Sequence, residues 1–318
     1  MSENCTDWYI IINPLAGSGK TMTDWEKAEK KLRELGVGYK VVKTEYAGHA
    51  IRLAARAAEK GYRRFLAVGG DGSVHELFCG LMNVVNHMGL RSEDFTLGVI
   101  PIGTGNDWIR SLDLPGSING VIKLISNKSF HFQDIVSMTG ADGKKTYMAN
   151  IGGTGFDSMV CEKVNGEKAV GHRSPFLYVK AMIQTVIQSQ VINVEVIADD
   201  KTIFQGPCYS ISFGNGPYSG GGMRQTSAAI MNDGKFDVMI VPVLPLATIA
   251  TNIYRFYTGT THKCRHVIYS QCRHLKVLPL DRYSEVSFEA DGEVEGHLPL
   301  EISMLDTHMK VVSNEGLR

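Results

Sequence analysis

The residues of this 318-residue chain best suited to chemistry sit in glycine-rich turns between an apolar run and a helical pattern. In Val68-Gly69-Gly70-Asp71-Gly72-Ser73, the preceding Phe65 to Val68 reads as a buried strand, and Val74, Leu77, Phe78, Leu81, Met82 and Val85 then recur at helical spacing. Three glycines at such a turn remove the Cβ atoms that would hold a phosphate chain away from backbone N–H groups, and the new helix adds the positive end of its dipole. A tight turn needing positive φ is the plainer alternative. Asp71 argues for the ligand, because a carboxylate among phosphate-directed N–H groups repels phosphate unless it serves a metal ion or a ligand hydroxyl. A second turn, Gly103-Thr104-Gly105-Asn106-Asp107, follows the strand Phe95 to Ile100. There Thr104 and Asn106 can hydrogen-bond a nucleotide and Asp107 can join Asp71 in an acidic pair facing a metal; helix capping by Asn106 or Asp107 is the alternative. A third turn, from Asn13 and Pro14 through Gly17, Ser18 and Gly19 to Lys20 and Thr21, ends like a Walker A motif but has Pro14 where that motif needs glycine.

Positioning these turns requires a sheet. Trp8 to Ile12 is an apolar run of buried-strand type, stopped by Asn13-Pro14, and a helix is expected from there to about Leu35. Strand Tyr39 to Lys43, helix Ala47 to Lys60 and strand Arg64 to Val68 continue the alternation, which predicts a parallel sheet with helices on both faces. The glycine turns then lie at carboxyl ends of strands, where open α/β sheets bind ligands. No GxGxxG fingerprint is present, which disfavours a standard dinucleotide site. After Asp134 the pattern changes. Phe130 to Met138, Lys145 to Ile151, Val191 to Ile197, Tyr209 to Phe213 and Phe236 to Val241 read as antiparallel strands separated by Gly, Asn and Asp turns, with Ser174-Pro175 opening a helix to about Ser189.

Composition is that of an ordinary globular protein, 43% hydrophobic and 21% charged. Lys plus Arg equal Asp plus Glu at 33 each, so no global field points to nucleic acid. Six scattered cysteines without CxxC suggest neither a disulfide framework nor a zinc site. With no leader-like N-terminus and no run of eighteen apolar residues, a cytoplasmic protein with peripheral membrane contact is expected.

Asn13-Pro14 with Ser18-Gly19, Gly69-Gly70-Asp71-Gly72-Ser73 with Glu76, and Gly103-Thr104-Gly105-Asn106-Asp107 together resemble the diacylglycerol kinase catalytic-domain family, which also holds sphingosine and ceramide kinases and soluble bacterial lipid kinases. The resemblance covers roughly the first 135 residues. Two positions depart from it, Ser73 where threonine is usual and His75 where asparagine is usual. It implies an α/β nucleotide-binding domain over 1–134 and a β-sandwich lipid-substrate domain over 135–318, the last segment being an open candidate for returning to the first domain. It implies ATP and magnesium as cofactors, with Asn13, Pro14, Ser18, Gly19, Gly69, Gly70, Asp71, Gly72, Ser73, Gly103, Thr104, Gly105 and Asn106 around the nucleotide. Asp71, Asp107 and Asp134 stand where the family holds magnesium through an aspartate network. Asp291, in Ala290-Asp291-Gly292-Glu293, stands where the family has its catalytic base, with Glu293, Glu76 and Asp71 as the other catalytic candidates; the residues alone read Asp291-Gly292 as a hairpin turn. Gly152-Gly153-Thr154-Gly155-Phe156-Asp157 matches a family glycine segment. Asp233 in Asn232-Asp233-Gly234 stands where the family can hold a structural divalent ion, with a plain hairpin turn as the alternative.

The expected partner is a lipid at a membrane surface; a second copy of the chain is left open. The basic stretch His262 to Lys276, read as strand-like, can face anionic headgroups or be a solvated face. Rival readings are an NAD kinase-like or other small-molecule kinase, and a nucleotide-binding module without catalysis. Diacylglycerol-like and sphingoid acceptors differ in pocket shape, which these motifs do not encode.

Overall fold

The computed structural model describes residues 7–17, 21–102, 105–169, 191–281 and 285–314. The helix expected at Ser174 to Ser189 lies outside them, as do Ser18, Gly19, Gly103 and Thr104. The chain forms two compact units, Met1–Ile135 with Asp306–Arg318, and Val136–Leu305.

In the first unit the order is β1 (Trp8–Ile12), α1 (Thr21–Glu34), β2 (Tyr39–Lys43), α2 (His49–Glu59), β3 (Arg64–Gly69), α3 (Asp71–Met88), β4 (Thr96–Pro101), α4 (Asp107–Ser111) and α5 (Ile118–Ser126). The strands pair in parallel in the order β2-β1-β3-β4, with Ile10 opposite Leu66 and Leu66 opposite Gly98. Trp8 to Ile12 and Phe65 to Val68 are buried throughout, because helices cover both faces of inner strands and leave no polar side to alternate with. The outer strand β2 is only half-buried and carries Lys40 and Lys43. Right-handed crossovers put α1 on one face and α2 and α3 on the other, since the chain reverses direction across the sheet after β2. In agreement, α2 packs on α3 and α1 on α5.

The chain leaves this unit within β5 (Phe130–Thr139) and returns within β15 (Leu300–Val312). The end of β15 lies parallel to β4, with Lys310 opposite Thr96, and Ser313 is held by Ser129 and His131.

The second unit is antiparallel. It contains β6 (Lys145–Met148), β7 (Ile151–Gly155), α6 (Phe156–Ala169), β8 (Ile192–Ala198), β9 (Lys201–Gly214), β10 (Phe236–Pro242), α7 (Leu246–Asn252), α8 (Tyr254–Thr258), β11 (Ile268–Cys272), β12 (His274–Pro279), β13 (Ser287–Ala290) and β14 (Glu293–His297). Strands β14-β13-β7-β9-β8-β12 form a continuous antiparallel run, and β10 joins β9 to β11. Their alternate residues build one core, including Val194, Val196, Ile211, Phe213, Val238, Ile240, Val277, Phe288 and Leu300.

Three local expectations are corrected. Lys145 to Ile151 is two strands, because the N–H groups of Ala149 and Asn150 turn to the Asp291 carboxylate instead of a ladder. Asn232-Asp233-Gly234 is not a two-residue hairpin but the end of an irregular connection from Asn215 to Lys235, since β10 finds its partner β9 across that whole segment. The start of the basic stretch, Thr261–Lys263, is a single 3-10 turn, and strand begins only at Ile268.

Candidate active site

Three turns of the first unit are stitched together at the carboxyl ends of β1, β3 and β4. Asn13 N–H donates to Val68 O at 3.0 Å and Ile102 N–H to Gly69 O at 2.9 Å, so the ladder carries on into the turns. The Asn13 side chain serves two of them: its Oδ1 accepts from Leu15 N–H at 3.0 Å in an Asx turn, and its Nδ2 donates to Ser73 Oγ at 3.4 Å. Pro14 lies inside that turn, which Ala16 N–H closes onto Asn13 O at 3.2 Å. Glycine is required here by close approach. A Cβ on Gly69 would stand 2.2 Å from Ser73 Oγ. One on Gly17, itself at φ +57°, would stand 2.7 Å from Ile102 Cγ2.

Helix α3 opens at Gly70 without a side-chain cap, and the eighteen-residue helix points its positive end at this place. Asn106 precedes α4 in the left-handed region (φ 54°, ψ 43°), a conformation asparagine tolerates, and again no side chain of its own caps the helix. Asp71 does so from the neighbouring turn, its Oδ1 accepting from Trp108 N–H at 3.1 Å. Two carboxylates lie beside Gly105: a Cβ there would stand 2.9 Å from Asp71 Oδ2 and 3.8 Å from Asp107 Oδ2. Asp107 Oδ1 pairs with Arg110 at 2.9 Å, and Arg110 also donates to Gly105 O. Both expected carboxylates thus lie beside Gly105, and Asp107 carries an arginine not foreseen from sequence. Its signal was the i, i+3 spacing of Asp107 and Arg110 on one helix face.

Other expected residues lie elsewhere. Asp134, 1% exposed, pairs through Oδ1 with His308 Nε2 at 3.1 Å, and the neighbouring Gln133 accepts from Trp108 Nε1–H at 3.0 Å. Among the described residues no three His, Cys, Asp or Glu side chains group as a metal cage. Two carboxylates beside one glycine do fit magnesium held mainly by water and substrate phosphates, the arrangement that ion prefers. Glu76 turns to the start of α2, accepting from Gly48 N–H at 2.8 Å and Ala50 N–H at 3.1 Å. His75 is buried on the core side of α3, its Nε2 3.7 Å from Cys79 Sγ.

In the second unit Asp291 and Gly292, at φ 53° and 87°, form the two-residue turn between β13 and β14, as the Asp-Gly pair predicts. The Asp291 carboxylate is nearly buried and accepts from Ala149 N–H and Asn150 N–H at 2.8 Å and Ile151 N–H at 3.2 Å. Glu293 Oε2 accepts from Asn165 Nδ2 at 3.3 Å. Asp233 closes a surface Asx turn on Lys235 N–H at 3.1 Å, and Gly234 O accepts from Arg273. Sequence reasoning placed Asp157 only by resemblance. In the fold it is half-buried, its carboxylate accepting from Ser210 Oγ at 2.5 Å, Gln225 Nε2 at 2.8 Å and Ser212 Oγ at 2.9 Å. Burial pushes its pKa up, outweighing those three hydrogen bonds, which pull it down. Two serines at alternate positions of the stretch Tyr209 to Phe213 were the available signal.

A parallel sheet whose carboxyl-end turns present helix N-termini and paired carboxylates is a phosphate-handling α/β architecture. Comparison with known proteins narrows this. Residues 7–138 match the diacylglycerol kinase catalytic domain, and residues 150–313 match the YegS C-terminal NAD kinase beta sandwich-like domain. The chain belongs to the diacylglycerol kinase family, with a β-sandwich as its second domain. It is 28% identical over 302 residues to a diacylglycerol kinase of Staphylococcus epidermidis, covering 95% of this chain and 90% of that protein. A diacylglycerol kinase of Staphylococcus saprophyticus is 26% identical over 309 residues, covering 97% and 96%. Among solved structures, a diacylglycerol kinase from Bacillus anthracis superposes with a TM-score of 0.71 at 20% identity over 98% of both chains. Yeast NADH kinase complexed with NADH does so at 0.51 and 10% identity, over 98% of this chain and 84% of that one. Both structural likenesses are likenesses of fold. Among the described residues no helix is long and apolar enough to cross a membrane.

Proposed function

We propose that the chain transfers the γ-phosphoryl group of ATP, carried as its magnesium complex, to the hydroxyl of a diacylglycerol-like or sphingoid lipid. The observation that carries this reading is that Asp71 Oδ2 and Asp107 Oδ2 both lie beside Gly105, within 2.9 and 3.8 Å of where a Cβ would stand there, at the uncapped start of α3. Phosphoryl transfer asks mainly for positioning and charge neutralisation. The start of α3, with Gly69, Gly70, Gly72 and Ser73, would receive phosphate oxygens. Asn13 and Asn106 would hydrogen-bond the nucleotide, and Arg110 would exchange Asp107 for a phosphate as the nucleotide arrives. Bound magnesium would supply neutralisation of the transferring group's charge, with Asp71 and Asp107 as its protein-side anchors.

From the family resemblance, Asp291 would accept the hydroxyl proton. Its three backbone donors fix the carboxylate in one orientation. Names of relatives favour diacylglycerol as the first acceptor to try. The test is a panel of diacylglycerol, sphingoid base, ceramide and polyprenol offered with magnesium and γ-labelled ATP. Label is expected in one lipid class. Label in none of them, with label instead in a soluble acceptor such as NAD, would overturn the lipid reading.

A further inference from the structure

Between Asp237 and Asp281 the chain carries no Asp or Glu, while it carries Arg255, Lys263, Arg265, Arg273 and Lys276. The fold divides these cations into two groups. Lys276 pairs with Glu301 at 2.9 Å and Arg273 is drawn to Gly234 O, so the later half of the basic stretch is spent within the second unit. Lys263 and Arg265 are exposed, and neither they nor Arg255 is in an ion pair among the described residues.

The same connection, from β10 to β11, carries four exposed large apolar side chains. Val243, Ile253, Tyr254 and Tyr257 stand outward, Tyr254 at 52% and Tyr257 at 64% exposure. This is not fraying. Phe256 O accepts from Arg224 N–H at 2.6 Å, Thr261 Oγ1 donates to Gln225 O at 2.9 Å, and the Arg224 guanidinium packs against Gly259. Arg255 lies over the Tyr254 ring at 5.3 Å, which holds cation and aromatic side by side. The anchored α7–α8 connection therefore holds two tyrosines and two aliphatic side chains in water, beside three cations and no carboxylate of its own.

We propose that this α7–α8 face is a docking surface for an anionic phospholipid bilayer. The inference rests on the lipid-kinase reading for its purpose, but not for its chemistry. Tyrosine suits the headgroup level, with its ring among acyl chains and its hydroxyl in water. Aliphatic side chains at Val243 and Ile253 supply shallow insertion. Unpaired Lys and Arg beside them add attraction to anionic lipid that neutral lipid does not offer. A second copy of this chain is the poorer occupant, because a two-fold contact would set Lys263 and Arg265 against their own like charges.

The experiment is sedimentation of the whole protein with vesicles of equal phosphatidylglycerol and phosphatidylcholine, without ATP or acceptor lipid. Lys263→Glu with Arg265→Glu is expected to lower partitioning at least about tenfold, and wild type on pure phosphatidylcholine to show a similar loss. Ile253→Ser with Tyr257→Ser is expected to lower it on both vesicle types, whereas Lys27→Glu on α1 should change it less than about twofold. Far-UV dichroism of each variant checks folding, and all five substituted side chains are exposed. Equal partitioning of wild type and both double variants would overturn the proposal. So would sedimentation velocity showing a wild-type dimer that Ile253→Ser with Tyr257→Ser dissociates. Magnesium-ATP calorimetry on the same samples keeps the two readings apart, since a chain that binds no nucleotide defeats the kinase proposal whatever the vesicles show.

Discussion

Replacing Glu76 with alanine separates a structural from a catalytic role at a position where family resemblance suggests the latter. Helix α2 starts at Gly48, in the left-handed region at φ 79°, with no side-chain cap and no acidic residue in its first turn. Glu76, reaching across from α3, accepts from the Gly48 and Ala50 N–H groups at 2.8 and 3.1 Å, while His49 N–H between them goes to Tyr46 O. Loss of a helix N-cap costs about 0.5–2 kcal/mol, and loss of a negative charge from a helix start about 0.3–1 kcal/mol more. The site is half-buried, so water replaces part of what is removed. A net cost of about 2 kcal/mol follows, which for a unit of this size lowers the midpoint of thermal unfolding by about 4–8 °C. Glu76→Gln keeps one acceptor and should lose about half as much. The assay is calorimetric unfolding together with single-turnover kinetics well below the transition. Turnover by Glu76→Ala is expected to stay within about threefold of wild type there. An unchanged midpoint with turnover down a hundredfold would refute the reasoning and return Glu76 to the chemistry.

Gly105→Ala places a Cβ 2.9 Å from Asp71 Oδ2, so magnesium-ATP affinity measured by calorimetry should fall at least about tenfold. Stability should hold within about 1 kcal/mol in denaturant unfolding. Burial pushes the Asp237 carboxyl up from 3.8 to about 6, against the pull of its Tyr269 and Gln271 hydrogen bonds. Folding therefore favours its protonated form, and the stability it contributes is complete below pH 3.8 and lost as pH rises through about 6. Asp237→Asn should remove that loss, stabilising the second unit by about 2–3 kcal/mol at pH 7.5 and little at pH 4, as read from denaturant midpoints at the two pH values. Asp291→Asn turns an N–H₂ group toward backbone donors, so it should cost about 1–3 kcal/mol in unfolding experiments. With the variant still folded in the cold, turnover should drop about a hundredfold, the usual loss with a general base.

The strands and glycine turns of the first unit were legible because each is a local signal. Trp8 to Ile12 and Phe65 to Val68 are continuous apolar runs, and the turns after them hold glycines at points of contact such as Gly69 against Ser73. The destinations of carboxylates were not legible, because they are set by residues far away in sequence. Glu76 reaches back to Gly48, Asp134 meets His308, and Asp291 collects N–H groups from Ala149 to Ile151 and in doing so breaks an expected strand. The same distance misled the reading of Asn232-Asp233-Gly234. A turn motif does not say which strands it joins, and β10 is placed by its ladder with β9. In the basic stretch, sequence could not separate Lys276, neutralised by Glu301, from Lys263 and Arg265, because the acid that decides it lies on another strand.

The central claim is that the turns after β1, β3 and β4 form one cradle for a magnesium nucleotide, with Asp71 at its centre. Titration calorimetry of ATP into the wild-type chain, with magnesium and with EDTA, tests it most directly, alongside Asp71→Asn. Saturable binding is expected with magnesium, weakened at least about tenfold by EDTA and by Asp71→Asn. Absence of ATP binding by the folded wild type, or equal affinity in all three titrations, would contradict it.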